Sequence, residues 1–325
     1  MSIPERNGIA VAGSLIVDKI NEIRAYPRCG ELTKIHSLKK AVGGCVPNVG
    51  IDLKKLCPRL PVSATGIVGD DDDGAYIKQI LSENGLDISG ITTTAAQRTS
   101  FTDVMSISGG QRTFFTYAGA DGQLKAEDLP WDSLSHKILL LGYFLLLEKV
   151  DEGEGLEILK KASDRGILTA IDMVSENSDR YALVLPCLPY VDYLIINELE
   201  AGKLTGMEPL AENLPLMAKK LKELGVRKKV ILHMPDRSVC CSDGGTTLVG
   251  SLELPEGYIQ GSTGAGDAFC AGALYAIHEG RSDREILEFA SCSAVMALGS
   301  ADATGGLREE EEIIGFCKQF RRKAL

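Results

Sequence analysis

A chain of 325 residues, 44% apolar and 25% charged, has the composition of an ordinary globular protein, with enough length for one large α/β domain plus an appendage or for two domains. Its formal net charge of −10 argues against nucleic acid as a partner, because phosphate neutralisation needs a basic face. No apolar run is long enough to span a bilayer, and the stretch from Met1 to Asn7 lacks the basic-then-apolar layout of a secretory signal, so a cytoplasmic protein is expected.

Nine cysteines, an odd number without a C-x-x-C pair and with Cys240 next to Cys241, suit reduced thiols. His36, His136, His233 and His278 lie far apart and without metal-ligand spacing, which argues against a zinc site.

Taken in order, strand-like and helix-like patterns alternate: a strand over 9–12, a helix over 47–56, a strand over 62–67, a helix over 72–84, and a strand over 138–141. A helix over 156–165, strands over 168–172 and 193–196, helices over 198–204 and 214–224, a strand over 230–232, and helices after Gly264, Asp283 and Glu309 continue the series. That rhythm predicts a parallel α/β fold. Segments 19–40 and 99–117 break it. They alternate polar and apolar residues, the second around Gly109-Gly110, and predict antiparallel hairpins that pair into a small sheet over the site, a lid, or else extend the main sheet.

Four stretches carry chemistry. Asp18, just past the first strand, suits a pair of adjacent hydroxyls or open solvent. Gly43-Gly44-Cys45-Val46-Pro47-Asn48 is a glycine pair running into a first helical turn, and the Asn48 amide suits a sugar hydroxyl or a helix cap. Asn197 and Glu200 stand one helical turn apart after an apolar strand, a spacing that can organise Mg²⁺-bound water and nucleotide phosphate. Gly261-Ser262-Thr263-Gly264-Ala265-Gly266-Asp267 feeds a helix N-terminus, where the N–H groups of Gly264, Ala265 and Gly266 can face one anion. There Asp267 is either the N-cap or a base that deprotonates an attacking hydroxyl. The acidic run Asp70-Asp71-Asp72-Asp73 lacks the spacing of a calcium loop and suits the start of a helix.

In their order along the chain these stretches resemble the ribokinase-like, PfkB-type carbohydrate kinases from Gly8 to about Gly306. Gly13-Ser14 to Asp18 is similar to the family's substrate segment, Gly43-Gly44 to Asn48 to its first signature, and Gly66-Ile67-Val68-Gly69-Asp70-Asp71 to its G-x-V-G-x-D. Asn197 to Glu200 is similar to its N-x-x-E, and Thr263-Gly264-Ala265-Gly266-Asp267 to its second signature. The resemblance implies a three-layer αβα core with a mostly parallel sheet (1–18, 41–98 and 119–325) under a β lid (19–40 and 99–118). It also implies ATP, Mg²⁺ and transfer of the γ-phosphoryl group to a hydroxymethyl of a sugar or sugar acid. By the same resemblance Asp267 is the base and Gly264, Ala265 and Gly266 the anion hole. Asp18, Gly43, Gly44 and Asn48 contact substrate; Asn197, Glu200 and Thr263 serve the nucleotide, with Asn197 and Glu200 serving the metal.

The chain also departs from the family pattern. Gly261-Ser262 stands where many members have Asp-Thr, which weakens a monovalent-cation site; Ile16 and Cys45 replace the Asn and Lys of ribokinases proper, which argues against ribose. His233, Pro235 and Ser238 replace the residues of a nucleotide loop, and Arg112 in the lid suits an acidic substrate or a phosphate. Alternatives are a nucleoside kinase of the same superfamily and a sugar-binding homologue that has lost catalysis. A dinucleotide oxidoreductase ranks below these, since its glycine fingerprint follows an early strand. An apolar lid face needs cover, so a homodimer through the lids is expected.

Overall fold

The computed structural model describes residues 6–107 and 112–325; the Gly109-Gly110 pair lies outside them. Strand β1 (Ile9–Gly13) is buried at every position, as a strand covered on both faces must be. The chain leaves for β2 (Ile16–Ile23) and β3 (Ile35–Gly43), then returns through helix α1 (Cys45–Leu56), β4 (Val62–Gly69), α2 (Asp72–Glu83) and β5 (Asp87–Thr94). A second excursion makes β6 (Phe101–Ile107) and β7 (Arg112–Tyr117). The core resumes with β8 (Ile138–Phe144), α3 (Gly155–Asp164), β9 (Leu168–Met173), β10 (Tyr193–Asn197), α4 (Glu198–Thr205), α5 (Leu214–Glu223) and β11 (Lys229–His233). A hairpin of β12 (Arg237–Ser242) and β13 (Gly245–Gly250) follows, then α6 (Ala265–His278), α7 (Asp283–Leu298) and α8 (Glu310–Cys317).

The main sheet has nine strands in the order β13-β12-β11-β10-β9-β8-β1-β4-β5. Its parallel centre sets Val11 of β1 opposite Ala64 of β4 on one side and Leu140 of β8 on the other. One face carries a core of Val11, Leu53, Ile77, Leu274 and Ile286 under α1, α2, α6 and α7. The other carries Leu139, Leu159, Met217 and Leu221 under α3 and α5. This is the parallel α/β fold that the alternating pattern predicts, in the three-layer αβα form that the family resemblance implies. The β12–β13 hairpin is absent from that prediction, although Asp243-Gly244 at its turn is a hairpin dipeptide. Helix α1 starts at Cys45 rather than 47, because Ser14 Oγ accepts the Cys45 N–H at 2.9 Å and Ser14 O accepts the Val46 N–H at 3.2 Å.

The two segments that break the rhythm form a separate four-stranded sheet, β3-β2-β6-β7. Each excursion is an antiparallel hairpin, but the seam between them is parallel: Val17 lies opposite Phe101 and Ile23 opposite Ile107. Asp73 of α2 anchors this sheet to the core, 2.9 Å from Lys19 and 2.7 Å from Lys40.

The acidic run before α2 works locally. Asp71 is the N-cap: its Oδ1 accepts the Gly74 N–H at 2.9 Å and the Thr99 hydroxyl at 2.6 Å, and its Oδ2 accepts the Thr99 N–H at 2.9 Å. Burial opposes ionisation of Asp71, but the bonds from Thr99 and Gly74 and the Arg98 charge outweigh it and hold the carboxyl below its ordinary 3.8. A lowered folded pKa gives stability that is complete above the unfolded value and is lost as pH falls through the folded one. Asp71→Ala is therefore expected to cost about 1–2 kcal/mol at pH 7 in urea unfolding. The deficit should shrink as pH falls below 4. An unchanged midpoint would show that Asp71 does not cap.

Candidate active site

Ligands of open α/β sheets bind beyond the carboxyl ends of the parallel strands. Here that edge and the underside of the small sheet enclose a cavity of about 430 Å³. Ile16, Thr102, Phe114 and Thr116 roof it, and Asp18, Asn48, Tyr143, Asp172, Glu200 and Asp267 stand in its wall. Among the described residues, no lysine or arginine lines it.

Gly44 initiates α1 with φ 88°, and a Cβ there would stand 2.7 Å from Ser14 O, so only glycine lets the chain turn this closely past β1. The turn delivers Asn48, in the second turn of α1 rather than at its cap, to the cavity floor. Asn48 Nδ2 donates to Asp267 Oδ2 at 3.0 Å, while Asn48 Oδ1 is buried without a hydrogen-bond partner. Gly43 backs Asp18, whose Oδ2 a Cβ at Gly43 would meet at 2.5 Å. Burial pushes the Asp18 carboxyl up to about 6.

Gly264, not Asp267, is the N-cap of α6. Its φ of 80° lies in the left-handed region, and a Cβ would collide with the Ala303 carbonyl. Asp267 is thus the third helical residue, 7% exposed, with its carboxylate turned into the cavity. Tyr143 Oη donates to Asp267 Oδ1 at 2.9 Å and lies 3.0 Å from Oδ2. Burial pushes Asp267 up to about 6; bonds from Asn48 and Tyr143 restrain that rise, and the Asp18 charge adds to it. A carboxylate with this value is ionised at neutral pH yet more basic than an ordinary aspartate.

Of the three N–H groups expected to face an anion, that of Ala265 donates back to Ser262 O at 3.3 Å and closes the turn. No described acceptor takes the N–H of Gly264 or Gly266, so these two remain as donors beside Asp267. Thr263 lines the cavity, and its Oγ1 accepts from Arg112 Nη1 at 2.9 Å across the gap between lid and loop.

A second cavity, about 760 Å³, lies on the far side of the loop and meets the first at Asn197, His233 and Gly266. Its apolar wall includes Leu254, Ile259, Phe269 and Leu298, and Arg237 and Lys323 stand at it. His233, at the end of β11, stacks on Phe269 with centroids 4.5 Å apart, and burial lowers its pKa to about 4, so the ring is neutral. Asn197 and Glu200 do not project independently. Asn197 caps α4, its Oδ1 accepting the N–H groups of Leu199 and Glu200, and Glu200 Oε2 accepts the Asn197 N–H at 3.0 Å. Glu200 Oε1 accepts from Ser175 Oγ at 2.8 Å and Asn197 Nδ2 at 2.9 Å, and burial lifts Glu200 to about 7.

Sequence reasoning missed Tyr143, Asp172, Ser175 and the apolar wall of the second cavity. All but the last lie at or just past the carboxyl ends of parallel strands, the one positional signal available. The wall comes from β12, α6, α7 and the loops between them, none of which carries a local motif.

Residues 7–310 match the family described as pfkB family carbohydrate kinase. The chain is 24% identical to ribokinase of Arabidopsis thaliana over 95% of its own length and 81% of the relative's. It is 23% identical to probable fructokinase-3 of the same plant over 99% and 94%. A solved structure of Arabidopsis thaliana ribokinase complexed with ribose and ATP superposes with a TM-score of 0.84 and 24% identity, covering 97% of this chain and 99% of that one.

Proposed function

Because the chain belongs to the pfkB family of carbohydrate kinases, we propose that it transfers the γ-phosphoryl group of ATP to a hydroxymethyl group of an uncharged, polyhydroxylated carbohydrate, with Asp267 as the general base. The observation that carries this reading is the buried Asp267 carboxylate beside the Gly264 and Gly266 N–H donors at the start of α6. Asp18 and the unpartnered Asn48 Oδ1 hold substrate hydroxyls, and Gly43 keeps Asp18 in place. Asp267 takes the hydroxyl proton as that oxygen bonds to phosphorus and the bond from phosphorus to the ADP oxygen breaks. The Gly264 and Gly266 N–H groups face the charge on the transferring group, with Ala265 closing their turn and Thr263 beside them. The second cavity takes the nucleotide, with its apolar wall against the base and neutral His233 at the junction.

Mg²⁺ supplies positive charge at the phosphates in such transfers. Asn197 and Glu200 fit it through water: their side chains are already bonded to one another, and Mg²⁺ usually keeps several waters and takes one or two carboxylates. Among the described residues no three His, Cys, Asp or Glu side chains converge on one point, so Asn197 and Glu200 would hold it through water rather than in a shell made by the protein alone. With Gly261 in place of an aspartate, dependence on K⁺ is weak. Segments 19–40 and 99–118 act as the lid.

The absence of lysine and arginine from the described lining supports a neutral substrate over a sugar acid. A substrate carboxylate about 4 Å from Asp18 or Asp267 would cost about 4 kcal/mol at an effective dielectric constant near 20, with no lining cation to offset it. In a coupled ADP-release assay, neutral sugars and polyols should be turned over at least 100-fold more efficiently than the matching aldonic acids. A preference for the acids would contradict the neutral-substrate assignment.

Asp267→Asn keeps size and removes basicity. General-base contributions run to about 10²–10⁴-fold, so kcat should fall at least 100-fold while nucleotide affinity holds within threefold. Turnover within tenfold of wild type would remove Asp267 from the role.

Leu38, 74% exposed, and Phe115, 58% exposed, lie on edge strands of the lid. Covering these residues against a second copy gives a homodimer. Sedimentation at micromolar concentration should give twice the chain mass, and a single-chain mass would reject the dimer.

A further inference from the structure

Tyr143 and Leu145, at the carboxyl end of β8, are the only described non-glycine residues with left-handed backbone, at φ 62° and 76°. Side chains rarely adopt this conformation, and it persists only where the surroundings over-determine it. Here they do. Asp172 Oδ1 accepts the Tyr143 N–H at 2.7 Å, and Asp151 Oδ1 accepts the Leu145 N–H at 2.8 Å. Arg180 Nη2 then donates to Leu145 O at 2.9 Å while Nη1 lies 3.4 Å from Asp151 Oδ2. Three side chains from outside the strand thus fix two successive bends.

The bends aim the Tyr143 phenol into the sugar cavity and onto both oxygens of Asp267. Asn48 fixes Oδ2 alone, so Tyr143 supplies the remaining donor and is the group that prevents rotation about the carboxyl bond. Burial, with the Asp267 charge next to it, keeps the phenol protonated, so it remains a donor. We propose that Tyr143 is a positioning residue that holds Asp267 ionised and oriented toward the acceptor hydroxyl, and thereby sets the lower pH limit of the reaction. The proposal rests on the assignment of Asp267 as base.

Several other groups face Asp267: Asp18 from β2, Cys45 and Asp52 from α1, Asp172 from β9, Cys270 from its own helix and His233 beside Gly266. Burial raises the Cys45 and Cys270 thiols well above their ordinary values, so these stay protonated near neutrality, and His233 stays neutral; burial also raises Asp52 and Asp172, and neither accepts from the Tyr143 phenol. Asp18 titrates in the same range as Asp267 but receives nothing from Tyr143. Loss of the phenol therefore acts on Asp267. A hydrogen bond to the charged form favours that form, so its removal raises the pKa and moves the acid limb of activity to higher pH.

The test is the pH profile of kcat/KM for Tyr143→Phe, which keeps the ring and removes the hydroxyl. The acid limb should move up by about one pH unit or more, so that activity falls about fivefold at pH 6 and about tenfold well below it, and returns to within threefold of wild type at pH 8.5. A uniform loss at every pH, or no change, overturns the proposal. Where the Phe variant does not fold, 3-fluorotyrosine at position 143 supplies a stronger donor of nearly the same shape. It should move the limb to lower pH, and an unmoved limb overturns the proposal. The Asp267→Asn variant separates the two readings. If it stays active, the base assignment falls and takes this inference with it; if it is inactive and the Phe profile is unshifted, the Tyr143 role alone falls.

Discussion

One buried carboxylate organises this protein. Asp267 lies in the first turn of α6, 7% exposed, where an unpaired charge would be costly and would be removed by protonation. It stays near the neutral range because Asn48, 219 residues earlier in the chain, and Tyr143 donate to it. Every larger feature of the fold serves that meeting. Parallel strands β1, β8 and β9 end at one edge, so the turn into α1, the bend after β8 and the start of α6 converge on one point.

Glycine makes the convergence possible at two places. Gly44 lets α1 start against Ser14, and Gly264 lets α6 start against Ala303. Any side chain there would push α1 or α6 away, and the Asn48–Asp267 contact would open. The lid completes the enclosure from the other side: Asp73 anchors it through Lys19 and Lys40, and Arg112 reaches from its edge strand to Thr263. The small sheet is thus held over the site by salt bridges, with the helix N-termini beneath it. This division of labour suits phosphoryl transfer, where positioning and charge stabilisation do most of the catalysis.

Much of this was legible in the chain because the informative residues are local. Gly264-Ala265-Gly266-Asp267 announces a loop entering a helix, Gly43-Gly44 to Asn48 announces a close turn, and the alternating apolar runs announce the parallel α/β core. The lid sheet was legible as two hairpins, but not its parallel seam, since pairing between strands as far apart in the chain as Val17 and Phe101 leaves no local mark. Asn48 was expected against a sugar hydroxyl or as a helix cap; its amide proves divided between Asp267 and an unpartnered oxygen, a fact of tertiary proximity. Three N–H donors were expected at the anion loop, and Ala265 spends its own on the turn. Tyr143 lay hidden in an apolar strand, where a tyrosine ordinarily reads as core, and only its left-handed backbone and the Asp172 bond reveal its direction. The apolar wall of the second cavity was illegible because Leu254, Phe269 and Leu298 are ordinary apolar residues until the fold brings them together.

The central claim is geometric, that a substrate hydroxyl, the Asp267 carboxylate and the Gly264–Gly266 donors meet at one reacting oxygen. The most direct measurement is a crystal structure of the complex with a neutral carbohydrate substrate and a non-hydrolysable ATP analogue. The account predicts the acceptor oxygen about 3 Å from an Asp267 oxygen, in line with the terminal phosphorus, and the terminal phosphate oxygens on the N–H groups of Gly264 and Gly266. An acceptor hydroxyl bonded to another side chain, with Asp267 still held between Asn48 and Tyr143 and turned away from it, would contradict it.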